Sequence, residues 1–186
     1  MPKQAKISRD DILAAALDLV REAGPEALGA RTLARRLGTS TQPVFSHFSF
    51  MKELEAGTLR AANALYERRV SAALSVADRP YRAAGLAYIA FAREEPRLFR
   101  WLFMRDRTGE DDRPTDDEVG PILSLLQAKF GFTREEALRF HAEMWVVVHG
   151  MATMIATGYY SWDEATVSAL LTDLYKGLLQ RYGKEF

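Results

Sequence analysis

The sequence predicts an all-α chain of about nine helices. An N-terminal three-helix domain is expected over residues 1–54 and an all-helical domain over residues 55–186. Three observations carry this expectation. Apolar residues recur at three- and four-residue intervals almost from end to end. No stretch has the strict alternation of a half-buried strand, and Ser/Thr residues stand three before an acid where apolar stripes begin. No internal repeat or biased linker interrupts the pattern, so the break in role, near residues 50–55, falls at the start of a helix.

Each element has its own warrant. Ser8 and Asp11 flank the first start, Ile12, Leu13, Ala16, Leu17 and Val20 form its inward stripe, and Gly24–Pro25 stops it. Two short helices follow within LGARTLARRLGTSTQPVFSHF, residues 28–48. Leu33, Ala34 and Leu37 form the inner face of the first. Gly38 can take the left-handed conformation that ends a helix at little cost. Ser40 is placed to cap the second helix by accepting a free N–H one turn on. Pro43 then falls in the first turn, where no backbone donor is missed. Two short helices around a tight glycine turn make a helix-turn-helix, whose second helix enters a DNA major groove. Two packed helices of any all-α protein share that spacing.

Leu54, Leu59, Ala62, Leu65 and Tyr66 suggest one long helix over about residues 51–76. Residues 81–104 are dense in aromatic and aliphatic side chains, and Pro96 divides them into two helices. Residues 105–118, RDRTGEDDRPTDDE, have one valley of polarity with no apolar side chain and read as a loop. A short helix is expected near Pro121–Phe130. Thr133 with Glu136 opens a long one reaching about Thr157, and Ser161 with Glu164 opens the last, which ends near Gly183.

Composition excludes several classes. The chain has 186 residues, 48% of them hydrophobic, and no cysteine, so no disulfide or thiolate site is available. It contains no apolar run near the ~18 residues that span a bilayer, and MPKQAKISRDD lacks the apolar stretch of a signal peptide. A cytoplasmic protein without a membrane partner is expected. Lys+Arg and Asp+Glu number 25 each, which argues against indiscriminate coating of nucleic acid. Residues 1–70 hold 11 basic against 8 acidic groups and the remainder 14 against 17. That mild asymmetry is compatible with a basic N-terminal surface that meets phosphates.

The N-terminal residues resemble the TetR family of transcriptional regulators. The resemblance rests on Ile12-Leu-Ala-Ala-Ala-Leu, Glu22-Ala-Gly24, Arg31-x-Leu33-Ala34-x-x-Leu37-Gly38, Phe45-x-His47-Phe48 and Glu53-Leu54, in order and spacing, over about residues 8–56. The rest looks like that family's effector-binding and dimerisation domain. Trp145-x-x-x-His149-Gly150, with FxxEEPxLFxxLFM at 91–104, resembles its WHG-type subgroup.

Thr41, Gln42 and Pro43 occupy the first turn of the recognition helix, with Ser40 just before it. Gln42 could pair bidentately with adenine, and Thr41 could bond a base or touch a thymine methyl. Small polar residues there also serve as simple caps. The resemblance assigns Arg31 a DNA contact and His47 a phosphate contact, although a histidine among aromatics is also a common core residue. Two departures stand out. Phe45 occupies a position where the family usually has a phosphate-bonding tyrosine, and Met51 replaces a usual lysine, leaving Lys52 adjacent. Lys3 and Lys6 could compensate electrostatically.

In the body, Tyr88, Phe91, Phe103, His141, Trp145 and His149 are candidates for a site taking a small, largely apolar effector, although aromatic stripes are more often core. His141, Trp145 and His149 lie on one helical face, but eight residues of helix separate the histidines by roughly 12 Å, too far to share a metal. No metal or other cofactor is expected. Val167, Leu171, Leu174, Leu178 and Tyr182 form an apolar ridge with Leu170 and Leu179 beside it, and Val148, Met151, Met154 and Ile155 form a similar set on the helix before it. A four-helix homodimer interface accounts for both sets, and so does burial within one chain. The expected function is that of a repressor, released from a palindromic double-stranded operator by its effector. A regulator without a functional pocket is the alternative. A helical binding protein or enzyme is disfavoured, because the chain lacks a phosphate-binding glycine loop, a nucleophile motif and metal-ligand spacing.

Overall fold

A computed structural model of the chain describes residues 7–106, 108 and 116–185. Among the described residues there are nine α-helices, one short 3-10 turn at Pro25–Ala27 and no strand. The helices are α1 Arg9–Ala23, α2 Ala30–Arg36, α3 Gln42–His47, α4 Met51–Ser75, α5 Pro80–Glu94, α6 Pro96–Phe103, α7 Asp116–Phe130, α8 Arg134–Ala156 and α9 Glu164–Arg181. Lys3, Lys6 and the acidic run at 109–115 lie outside the described residues. The chain forms two compact units, Met1–Arg68 with Glu95–Arg105, and Arg69–Glu94 with Asp106–Phe186. Helix α6 thus packs with the first unit although it lies far along the chain from α1–α4.

In the first unit, α1 opens with the expected capping box. Asp11 N–H donates to Ser8 Oγ at 3.1 Å and Ser8 N–H to Asp11 Oδ2 at 2.9 Å. The Ser8 hydroxyl, which donates to Asp11 Oδ2 at 2.7 Å, and the Ser8 N–H together hold the Asp11 carboxyl below the ordinary range. Ile12, Ala15, Ala16, Leu19 and Val20 are buried, while the expected Leu13 and Leu17 sit half-buried at the edge of the stripe. Leu13 borders α4 at Gly57, where an added Cβ would lie 3.0 Å from Leu13 Cδ2. The glycine is thus what allows α4 so close. On α4 the buried residues are Leu54, Gly57, Thr58 and Ala62; Leu59, Leu65 and Tyr66 are half-buried, since small residues occupy the tightest helix contact.

Pro96 starts α6, as expected, and Leu98, Phe99, Trp101 and Leu102 bury its face. A two-pronged ion pair joins α6 to α1. Arg21 Nε donates to Glu95 Oε2 at 3.0 Å and Nη2 to Oε1 at 2.8 Å. Arg97 Nη1 donates to the Arg21 carbonyl at 3.1 Å, placing a cation where a helix C-terminus favours one.

The second unit is built on α8, against which α5, α7 and α9 pack. Its core joins Tyr88, Ile89 and Phe91 of α5 to Leu123 and Leu126 of α7, Phe140 and Met144 of α8, and Val167 and Leu171 of α9. The Thr133–Glu136 capping box is present, with Glu136 N–H donating to Thr133 Oγ1 at 3.2 Å. Two boundaries differ from expectation. Asp163, not Ser161, caps α9, its Oδ1 accepting the Thr166 N–H at 2.7 Å, because the helix begins two residues later than the assumed box. Residues 116–118, read as loop, already belong to α7, which carries Pro121 in its interior. Gly120 precedes that proline and has no Cβ for the pyrrolidine ring to meet, so the usual clash with the preceding residue is reduced.

The Arg21–Glu95 pair is the principal polar tie between α1 and α6. Replacing Glu95 with Ala should lower urea-unfolding stability by about 2 kcal/mol, the range for hydrogen bonds to charged groups. A loss below about 0.5 kcal/mol would mean that apolar packing alone joins the two helices.

Candidate nucleic-acid interface

The helix-turn-helix is assembled from a turn and two anchors. Gly38 has φ +64°, the left-handed conformation expected of it. Around it Gly38 N–H donates to Arg35 O at 3.3 Å and Thr39 N–H to Ala34 O at 2.9 Å, closing the end of α2. On α3, Val44 is fully buried, and the next residue beyond the helix, Phe48, is buried as well. Both join a core with Ile12, Ala15, Ala16, Leu19, Leu33 and Leu54. With 44 and 48 inward, the helical period turns 42, 45 and 46 outward. Gln42, Phe45 and Ser46 are exposed, Thr41 and Pro43 half-buried.

Ser40 caps α3 less directly than expected. Its Oγ accepts the Gln42 N–H at 3.4 Å, two residues on. The residue three on is Pro43, which has no N–H to give. Thr41 takes the cap position without a side-chain bond. The Ser46 hydroxyl donates to the Pro43 carbonyl at 2.8 Å.

Charge on α2 divides into engaged and open groups. Arg36 bonds Glu22 through both guanidinium arms at 2.7 Å, tying α2 to α1. Arg31 and Arg35, four residues apart on one face, are exposed and make no ion pair among the described residues. Lys52 is exposed in the first turn of α4, beside half-buried Met51. Arg35 and Ser46 were missed by sequence reading, although each lies one helical turn after a named candidate.

His47 is half-buried, with Nε2 3.0 Å from the Ile7 carbonyl. A carbonyl only accepts, so Nε2 carries the hydrogen. A neutral ring then offers only an acceptor at Nδ1, and a phosphate contact there requires the imidazolium form. The geometry thus gives His47 a structural bond on one side.

A second cluster lies in the other unit. The Tyr81 hydroxyl is 3.2 Å from His141 Nδ1 and the Tyr88 hydroxyl 2.9 Å from His149 Nδ1. Trp145 sits between, its ring 4.8 Å from Tyr88 and stacked at 5.7 Å on His149. Tyr88 is buried and Trp145 is 40% exposed. One turn after His149, Thr153 Oγ1 is buried and has no hydrogen-bond partner among the described residues. The structure therefore brings Tyr88, His141, Trp145 and His149 together, and adds Tyr81, which sequence reading did not single out for this role. Phe91 is buried with the Arg69 guanidinium 5.6 Å from its ring centre. Phe103 is not part of this cluster: it belongs to the first unit, 5.1 Å from both Tyr66 and Phe99.

The apolar ridges are partly consumed within the chain. Val148, Met151, Val167 and Leu171 are buried in their own unit, so they have little area left for a partner. Ile155 and Leu178 are half-buried, and Leu174 is exposed. Met154 and Leu170, both named from the sequence with these ridges, are exposed, and so is Val146, which was not named.

Residues 12–54 match the family model described as bacterial regulatory proteins, tetR family. Residues 81–178 match the model described as tetracyclin repressor-like, C-terminal domain. An uncharacterized HTH-type transcriptional regulator of Mycobacterium tuberculosis is 27% identical over 179 residues, which cover 92% of this chain and 80% of that protein. A TetR variant from Acinetobacter baumannii AYE, solved in complex with minocycline, has a TM-score of 0.56 at 23% identity, covering 96% of this chain and 97% of that one. At that identity the likeness concerns the fold.

The two imidazoles of the second cluster give a pH dependence of known sign. Burial lowers both His141 and His149 from the usual histidine value. Unfolded, they bind protons near pH ~6.5; folded, only at lower pH. Their contribution is complete above about pH 6.5 and is lost as pH falls through the folded values. Melting temperature should therefore drop between about pH 7.5 and 5, and a His141→Asn, His149→Asn double variant should show a shallower drop. Equal slopes for both proteins would contradict this.

Proposed function

The chain belongs to the TetR family of bacterial helix-turn-helix transcriptional regulators, and we propose that it is a homodimeric repressor released from a palindromic operator by a small, largely apolar effector. As a member of that family it is a DNA-binding protein and not an enzyme. Among the described residues no helix is long and apolar enough to cross a membrane.

One observation carries the DNA reading furthest: α3 is held by buried Val44 and Phe48 while Gln42, Phe45 and Ser46 face solvent. Gln42 suits bidentate pairing with an adenine edge, and Thr41 stands beside it. Arg31, Arg35 and Lys52 supply cations for the phosphates, which position the reader without selecting sequence. Phe45 cannot bond a phosphate, so backbone anchoring shifts to these residues.

The dimer reading draws on the exposed apolar residues of the second unit. Leu170, Leu174 and half-buried Leu178 on α9, with Val146, Met154 and half-buried Ile155 on α8, would form a two-fold four-helix interface. Two-fold symmetry would present paired α3 helices ~34–36 Å apart, or a multiple of it, matching a palindrome.

The effector reading is supported by the Tyr88–His149 and Tyr81–His141 pairs, half-open Trp145 and the orphaned Thr153 hydroxyl, an apolar setting with few polar groups. Trp145, His149 and Gly150 also support a place in the WHG-type subgroup. The A. baumannii TetR variant was solved with minocycline; an effector site in the corresponding domain here is in keeping with that. Release would follow if the effector prefers a conformation with mis-spaced recognition helices, and could shift the population only by that preference. Chain continuity offers a route, since only three residues separate α3 from α4 and α4 ends in the second unit.

Selection of duplexes from a random-sequence library by the full chain tests the reading. A palindromic, salt-sensitive site is expected; recovery of no enriched sequence would overturn it. On the selected duplex, Gln42→Ala should weaken binding by about 1–3 kcal/mol and relax one position of each half-site. Arg31→Ala should weaken all duplexes alike and reduce the salt slope by about 1. Leu174→Glu should yield monomers in sedimentation, whereas unchanged dimers would move the interface elsewhere.

A further inference from the structure

Phe45 poses a problem that neither folding nor phosphate binding resolves. It is a large apolar side chain, 51% exposed, on a helix whose inward residues are Val44 and the adjoining Phe48. Its backbone is fixed, with the N–H 3.3 Å from the Thr41 carbonyl and the neighbouring Ser46 hydroxyl bonded to Pro43. The ring thus stands on the same outward side as Gln42 and Ser46, with no polar atom to offer.

On the edges of bases in a major groove the distinctive apolar group is the 5-methyl of thymine. Three residues of helix advance about 4.5 Å, close to the ~3.4 Å step between base pairs. A ring at 45 therefore falls near the base pair next to the one that Gln42 meets. We propose that Phe45 is a specificity-determining residue, its ring packing on the 5-methyl group of a thymine adjacent to the base pair read by Gln42 in each half-site. This rests on the DNA-binding reading above. It adds a sequence preference that does not depend on hydrogen bonding.

The test uses the duplex selected from the random library, with each thymine replaced in turn by deoxyuridine. That change keeps every hydrogen-bonding group and removes only the methyl. One thymine per half-site should then cost about fourfold in affinity, the worth of one buried methyl-sized group. The loss should vanish in Phe45→Ala and in Phe45→Gln, a better helix former, each checked for native helicity. It should persist in Phe50→Ala, which removes another exposed ring lying outside α3. If no thymine responds, or if the response survives both Phe45 variants, the assignment is overturned while DNA binding stands. A response abolished by Phe50→Ala would also overturn it. Selection of no duplex at all would remove the DNA-binding reading and this inference together.

Discussion

A six-residue helix has almost no stability of its own in water, because nucleation fixes several residues before the first hydrogen bond forms. Helix α3 therefore depends on the burial of Val44 and, just past its end, Phe48. Each such side chain contributes about 1.5–3 kcal/mol when taken from water. Because the two lie one turn apart, the same packing that creates the helix also fixes its rotation. Which residues face outward is then settled without any further interaction: Gln42, Phe45 and Ser46 are exposed because 44 and 48 are not.

The rest of the first unit serves that packing. Gly38 turns the chain sharply enough for α2 and α3 to share one core, and Gly57 lets α4 approach α1. Helix α6 arrives from far along the chain and is tied to α1 by Arg21, Glu95 and Arg97. The EEP segment within the 91–104 pattern thereby acquires a physical meaning. Its second glutamate pairs with α1, its proline starts α6, and the residues after it bury that helix's apolar face.

Local chemistry was the most legible part of the sequence. The Ser8–Asp11 and Thr133–Glu136 boxes, the Gly24 and Gly38 stops and the break at Pro96 all depend on neighbours within four residues, and all stand where their chemistry puts them. Where two local signals competed, the reading slipped. Asp163 outcompeted Ser161 as a cap, and Pro43 deprived Ser40 of its usual partner. Long-range placement was less legible. Periodicity shows that Phe103, Val148 and Val167 face something apolar, but not which helix supplies it. Phe103 lies in the first unit, with Tyr66 and Phe99 around it, and the two valines are enclosed by their own unit. The outward set on α3 was accessible because one short helix with two anchored residues leaves little freedom.

The central claim is that a symmetric pair of α3 helices lies in successive major grooves. Dimethyl sulfate protection on the selected duplex measures this directly, since guanine N7 opens on the major groove. Two patches of N7 protection related by a dyad, their centres about 10–10.5 base pairs apart or a multiple of it, are the predicted result. A single patch, or N7 positions left fully reactive in the complex, would contradict it.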